Sequence, residues 1–168
     1  MIEIQIDKLT PCLIERASGK IFDTQMCKIS PVKRDYVGWK FDWAIPLRNR
    51  YDIYALKIKG DEQIQGMIAF AVENNNRAVY VNLAETAPHN YGRNGKYDGV
   101  GGHLFAFACK QAYEHDYDCI YFDAKTELIE YYKNKLGAMQ LGNSQRMLIE
   151  GENFIILMNK YFGGAEND

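Results

Sequence analysis

The sequence predicts an α+β fold: a mixed, mostly antiparallel twisted sheet flanked by helices. Three observations carry that expectation. Residues 53–85 hold three successive runs in which apolar residues alternate with polar ones, the period of half-buried strands. After residue 98 the spacing changes to Val100, Leu104, Phe107, Ala108 and Ala112, the period of a helix lying on a core. The 168 residues are 47% apolar and 25% charged, which suits one globular domain over residues 1–168 and excludes disordered, collagen-like and disulfide-scaffold chains. A chain of this length buries roughly 70% of its unfolded surface and needs no disulfide or structural metal.

Ile2, Ile4 and Ile6 alternate with Glu3 and Gln5 and predict an opening strand. Residues 12–16 and 21–29, joined across 17–20, predict a hairpin. Residues 30–50 are broken by Pro31, Gly38 and Pro46 yet carry Tyr36, Trp39, Phe41 and Trp43, the pattern of a loop or short helices with an aromatic inner side. This stretch reads as a covering segment. Runs 53–59, 64–72 and 79–85, separated by Gly60-Asp61 and Asn74-Asn75-Asn76, form a three-strand antiparallel meander. A turn-rich stretch follows, then a helix over 99–115 and a short buried strand over 119–123. Thr126 caps a helix through Leu128, Ile129 and Tyr132 that ends at Gly137. Residues 146–149 and 154–158 read as a last hairpin about Gly151, with a loose tail over 163–168. The core spans 53–158, and residues 1–50 supply the N-terminal strands and the covering segment.

Twenty Lys and Arg against twenty-two Asp and Glu leave a net charge of −2, so no basic field favours nucleic acid. The start lacks a basic stretch followed by an apolar run, and no segment has the eighteen or so apolar residues of a membrane span. The expectation is a cytoplasmic protein with no membrane partner. Cys12, Cys27, Cys109 and Cys119 form no CxxC pair, and the three histidines are scattered, so no metal and no cysteine nucleophile is expected. The basic group Lys33, Arg34, Arg48 and Arg50 reads as a solvated face.

The most informative stretch is Lys96-Tyr97-Asp98-Gly99-Val100-Gly101-Gly102-His103-Leu104, which opens the long helix. The first N–H groups of a helix lack intrahelical partners and, with the helix dipole, favour an anion, while glycines let a pyrophosphate approach the backbone. Lys96 adds a cation. The plain alternative is a glycine turn that packs the helix closely on the sheet. A dinucleotide fingerprint would need glycine where Leu104 stands, and a P-loop would need Ser or Thr where Tyr97 stands.

Lys96, Gly99 and Gly101, running into Leu104, resemble the pyrophosphate loop of the GNAT superfamily of acetyl-CoA-dependent N-acetyltransferases. The resemblance covers roughly residues 53–158. It takes in the strand before the loop and the Tyr132 to Gly137 region, and Lys96 stands where the family has Gln or Arg. It implies a GNAT-type sheet and acetyl-CoA as co-substrate, bound by Leu83, Lys96, Tyr97, Asp98, Gly99, Val100, Gly101, Gly102 and His103. The function it implies is transfer of an acetyl group to a primary amine of a small molecule or a protein. A homodimer is a further expectation, through pairing of exposed strand edges.

A primary amine must lose a proton to attack a thioester, so a base helps at neutral pH. Glu85, at the end of the strand before the loop, is the candidate base. Backbone N–H groups around Leu83 to Glu85 are candidate oxyanion donors if the strand splays or bulges there. Tyr132 is the candidate proton donor to the leaving CoA thiolate, with Tyr131 as its competitor. A step of 100° between neighbours on a helix lets at most one of them face the cofactor. Trp39 and Trp43 are candidates for clamping the acceptor, since ring faces attract cations. Two other readings stay open: a module that binds acyl-CoA without turnover, as a sensor or regulatory subunit, and a protein-interaction domain.

Overall fold

The computed structural model describes residues 2–6, 12–31 and 36–162. The expected tail at 163–168, and Lys33 and Arg34, lie outside the described residues. The predicted hairpin begins with β1 (Leu13–Glu15) and β2 (Ile21–Phe22), paired in register Leu13 to Phe22. Its second arm divides after Asp23. β3 (Thr24–Lys28) leaves the hairpin and joins the edge of a larger sheet. Among the described residues of the covering segment only α1 (Ala44–Arg48) is α-helical. Pro46 is tolerated there because it sits in the first turn, where its missing N–H has no helical partner to lose.

β4 (Asp52–Ile58), β5 (Ile64–Glu73) and β6 (Ala78–Thr86) are the predicted meander. In the β5–β6 ladder Ala69 pairs with Leu83 and Phe70 with Val81, which leaves Asn82 as an extra residue in β6. This is a β-bulge, and it bends the strand just before Glu85. β7 (Tyr97–Asp98) pairs with β1, so β2-β1-β7 forms a small second sheet over the glycine loop.

α2 (Val100–Glu114) starts at Gly99, whose φ of +104° suits glycine. It lies close on the sheet because Gly66 of β5 has no side chain, and a Cβ there would stand 2.6 Å from Val100 Cγ1. The chain crosses over through α2 to β8 (Cys119–Asp123), which pairs with β6 in parallel. α3 (Ile129–Leu136) follows and ends on Gly137 at φ +67°. β9 (Met139–Gln140) and β10 (Arg146–Glu150) complete a seven-stranded sheet of order β3-β4-β5-β6-β8-β10-β9, antiparallel except at β6–β8.

The last element corrects the sequence reading. The expected second arm of a hairpin at 154–158 is part of α4 (Gly151–Phe162). Phe154, Leu157, Met158 and Tyr161 are buried at helical spacing, whereas Ile155 and Ile156 between them are 40% and 46% exposed. The unbroken run Phe-Ile-Ile-Leu-Met hid that period. α4 packs against α2, and together they cover one face of the sheet over the main core. A smaller core of Trp43, Ile53, Ala55, Met67, Ala69 and Leu83 lies on the opposite face, under Tyr36, Trp39 and Phe41.

Candidate active site

β6 and β8 pair only at Val79 with Ile120 and at Tyr80 with Tyr121. Beyond these two positions the strands part, and the bulge at Asn82 bends β6 where the parting begins. The opening faces the start of α2. Residues 2–6 enter it. The Ile2 N–H donates to the Asp123 carbonyl at 2.6 Å, and Ile2 bridges Ala124 in parallel, so the segment runs on from the end of β8. It then passes between α3 and the first turn of α2. Ile2, Ile4 and Ile6 are 0%, 4% and 2% exposed and belong to the main core. The expected alternation is therefore present, but among the described residues the segment makes a single bridge instead of joining a sheet as a strand.

Both tyrosines of α3 face this segment. The Tyr132 hydroxyl accepts from the Ile4 N–H at 2.8 Å and donates to the Ile4 carbonyl at 3.0 Å. The Tyr131 hydroxyl accepts from the Ile6 N–H and donates to the Ile6 carbonyl at 3.0 Å. Both hydroxyls therefore reach the same segment from neighbouring positions of α3. The rings meet edge to face at 5.3 Å, and the long phenol arms offset the 100° between their Cα positions. Burial raises the Tyr132 pKa, so its proton is held firmly.

The glycine loop is covered from two sides. Residues Gly99 to His103 are all buried. An added Cβ at Gly101 would stand 2.3 Å from the Gln5 carbonyl oxygen, so only glycine permits the present contact. On the other side β1 pairs with Tyr97 and Asp98, and Arg16 forms an ion pair with Asp98 while donating to the Gly92 carbonyl at 2.6 Å. Tyr97 is buried edge to face against Phe22, and Lys96 is exposed with its ammonium 5.3 Å from the Tyr97 ring centre.

His103 is 1% exposed. Its Nδ1 lies 3.0 Å from the Gly99 carbonyl and its Nε2 3.0 Å from Thr24 Oγ1. A carbonyl can only accept, so in the neutral ring Nδ1 carries the proton and Nε2 accepts from the hydroxyl. Burial lowers its pKa to about 4, and the ring locks the first turn of α2 to β3.

Glu85 is 3% exposed, and the covering segment surrounds its carboxylate. Oε1 accepts from Trp43 Nε1 at 2.8 Å and from the Phe41 N–H at 3.3 Å, and Oε2 accepts from the Lys40 N–H at 2.5 Å. Trp43 is 2% exposed and has this bond as its polar contact, while Trp39 is half-buried and meets it edge to face at 6.4 Å. Trp39, Lys40 and Phe41 line one side of a surface cleft of about 330 Å³. Leu83 points its side chain into the smaller core.

Several residues that position the site carry no sequence signal. Gln65, buried in β5, accepts at Oε1 from His89 at 2.8 Å and from Asn90 Nδ2 at 2.9 Å, and Asn90 Oδ1 accepts from the Tyr97 N–H at 3.0 Å. This chain of polar contacts ties the loop after β6 to the start of the glycine loop. Lys40 Nζ bonds the Tyr91 hydroxyl and lies 4.1 Å from that ring's centre, 3.9 Å from Glu3. Lys125 Nζ is 2.5 Å from the other Glu3 oxygen, a bond that lowers the Glu3 pKa. Glu3, Ile4, Gln5, Tyr91, Leu128 and Tyr131 line a cleft of about 270 Å³ at this mouth.

Cys109 is buried and Cys119 is pushed up to about 11 by burial, which keeps both as thiols. Among the described residues no group of His, Cys, Asp or Glu is placed to hold a metal ion, and no helix is long and apolar enough to cross a membrane.

No protein-family model and no curated protein matches the sequence. Solved structures match the fold. A bacterial toxin aligns over 83% of this chain and 97% of its own at 13% identity, with a TM-score of 0.59. An acetyltransferase of Bacillus subtilis in complex with CoA aligns over 77% of this chain and 99% of its own at 11% identity, with a TM-score of 0.55. The AtaTR complex bound with acetyl-CoA aligns over 80% of this chain and 98% of its own at 16% identity, with a TM-score of 0.55. At these identities the likeness is one of fold, and that fold is the acetyltransferase fold.

Proposed function

We propose that this chain, which has the fold of the GNAT acetyltransferases, moves an acetyl group from acetyl-CoA to a primary amine by direct attack. The observation that supports this best is the parting of β6 from β8 directly in front of the glycine turn that starts α2. Such an opening offers backbone groups on both sides to an extended acyl carrier, and the first turn of α2 offers N–H groups to its pyrophosphate. Gly99 and Gly101 keep side chains out of that turn. Lys96 is the cation of the proposed pyrophosphate site, and the backbone from Leu83 to Glu85 forms one wall. Tyr97, Asp98, Val100, Gly102 and His103 hold the loop in shape.

When bound, acetyl-CoA supplies the activated acyl group. The amine nitrogen bonds to the carbonyl carbon, the carbon–sulfur bond breaks, Tyr132 donates a proton to the departing thiolate, and the proton lost by the nitrogen passes through water to restore the Tyr132 hydroxyl. The raised pKa keeps the Tyr132 hydroxyl protonated at neutral pH, so it meets the departing sulfur first as a hydrogen-bond donor. Glu85 is read as a positioning residue more readily than as the base. Its two oxygens already accept three hydrogen bonds, which fix the segment carrying Trp39 against the acceptor side. The same observation favours a second reading, in which the chain binds acyl-CoA without turnover. The acceptor is proposed to be a small-molecule or protein amine, bound near Trp39, with the protein acting in the cytoplasm alone or as a homodimer.

Calorimetric titration of acetyl-CoA and CoA into the wild type and Gly101→Glu tests the binding site. Wild-type binding that Gly101→Glu weakens about tenfold or more supports it. Binding that Gly101→Glu leaves unchanged, in a variant of native circular dichroism, refutes it. Mass spectrometry of a broad amine panel with acetyl-CoA then separates turnover from binding alone.

A further inference from the structure

Residues 2–6 stand where the proposed function puts the acyl carrier. We propose that this segment is an internal occupant of the acetyl-CoA cleft and that cofactor and segment exclude one another. The inference rests on the reading given under Proposed function.

Three observations carry it. The Gln5 carbonyl lies so close to Gly101 that the first turn of α2 has no room for a second group on that side. The Tyr132 hydroxyl, proposed as proton donor, is engaged on both its donor and acceptor sides by Ile4. Ile2, Ile4 and Ile6 fill the opening that the parted strands leave, at 0%, 4% and 2% exposure.

The attachment is of a releasable kind. Among the described residues one bridge, Ile2 to Ala124, ties the segment to the sheet, and the Ile4 and Ile6 backbones bond two side-chain hydroxyls. Burying three isoleucines gains free energy of the same order as ordering five residues costs, so the balance is small. Glu3 adds ion pairs to Lys125 and Lys40 at the cleft mouth, where salt screens them. A ligand that binds only the released form then sees its affinity reduced by the fraction of molecules in that form.

Amide exchange of the full chain, with and without saturating acetyl-CoA, reads the segment directly. In the free protein the Ile4 and Ile6 amides are expected to be protected, and acetyl-CoA is expected to speed their exchange about tenfold or more. Ile4→Glu, which places a charge in the apolar opening, is expected to bind acetyl-CoA about fivefold tighter than the wild type. Glu3→Gln removes only the ion pairs and serves if Ile4→Glu does not fold, with a smaller tightening in the same direction.

Acetyl-CoA binding with Ile4 and Ile6 still protected overturns the inference alone, as does unchanged affinity in both variants. Absence of binding in the wild type and in every folded variant overturns the acetyl-CoA reading, and the inference with it.

Discussion

The indole N–H of Trp43 donates to Glu85 Oε1 at 2.8 Å, and both side chains are nearly out of reach of solvent. Forty-two residues apart in the chain, they join the covering segment to the last strand of the meander. Glu85→Ala leaves that indole and the N–H groups of Lys40 and Phe41 without their acceptor. The expected cost is about 2–4 kcal/mol in urea unfolding, and Glu85→Gln, which keeps an acceptor oxygen, is expected to cost less. Equal and negligible effects of the two would show that the carboxylate does not anchor the segment.

Tyr132→Phe keeps the buried ring and removes only the hydroxyl that both accepts from and donates to Ile4. The expected loss is about 1–2 kcal/mol, with faster exchange of the Ile4 amide. Slow Ile4 exchange in the variant would mean that the isoleucine side chains alone hold the segment.

His103 makes stability depend on pH. Its folded pKa of about 4 lies below the ordinary 6.5 because burial penalises the charged ring. The unfolded chain therefore binds a proton at a pH where the folded chain does not. The stability is complete above pH 6.5 and is lost as pH falls toward 4, by at most about 3 kcal/mol. Melting temperatures from pH 7 down to 4 are expected to fall less steeply for His103→Gln than for the wild type. Parallel curves would exclude His103 as the source.

Lys96 is exposed and touches only the Tyr97 ring among the contacts described above. Lys96→Ala is expected to leave unfolding within about 0.5 kcal/mol of the wild type. Acetyl-CoA binding is expected to weaken about tenfold at low salt and by less as salt rises, as for a charge facing a phosphate. Identical affinity at low salt would remove Lys96 from the site.

Much of this structure was legible in the sequence because it depends on neighbours. The meander over Asp52–Ile58, Ile64–Glu73 and Ala78–Thr86 follows the period-2 pattern within a few residues, and the glycine turn before α2 needs only Gly99 and the helix behind it. α4 was misread because a continuous apolar run has no visible period, and only packing against α2 shows which of its residues turn inward. The position of residues 2–6 was illegible for a different reason. Alternating isoleucines look the same in an edge strand and in a segment threaded between two helices, and the choice depends on Gly101 and Tyr132, about a hundred residues away. Glu85 was legible as a residue near the site, but not in its contacts, since its three donors come from a segment with no regular pattern.

The β6–β8 join also bears on how the chain assembles. Strands β3 to β6 pair with their neighbours in sequence, and β8, β10 and β9 likewise form a local group. The two groups meet at two register positions, across a crossover that includes all of α2. Contacts this distant in sequence cost more chain entropy to close than the pairings within each half. Without the seam the outer edge of β6, apolar at Val79 and Val81, would be bare, a template for pairing with another chain. Whatever occupies the opening beside that seam, the protein's own isoleucines or a ligand, therefore also covers strand edge that the two register positions leave unpaired.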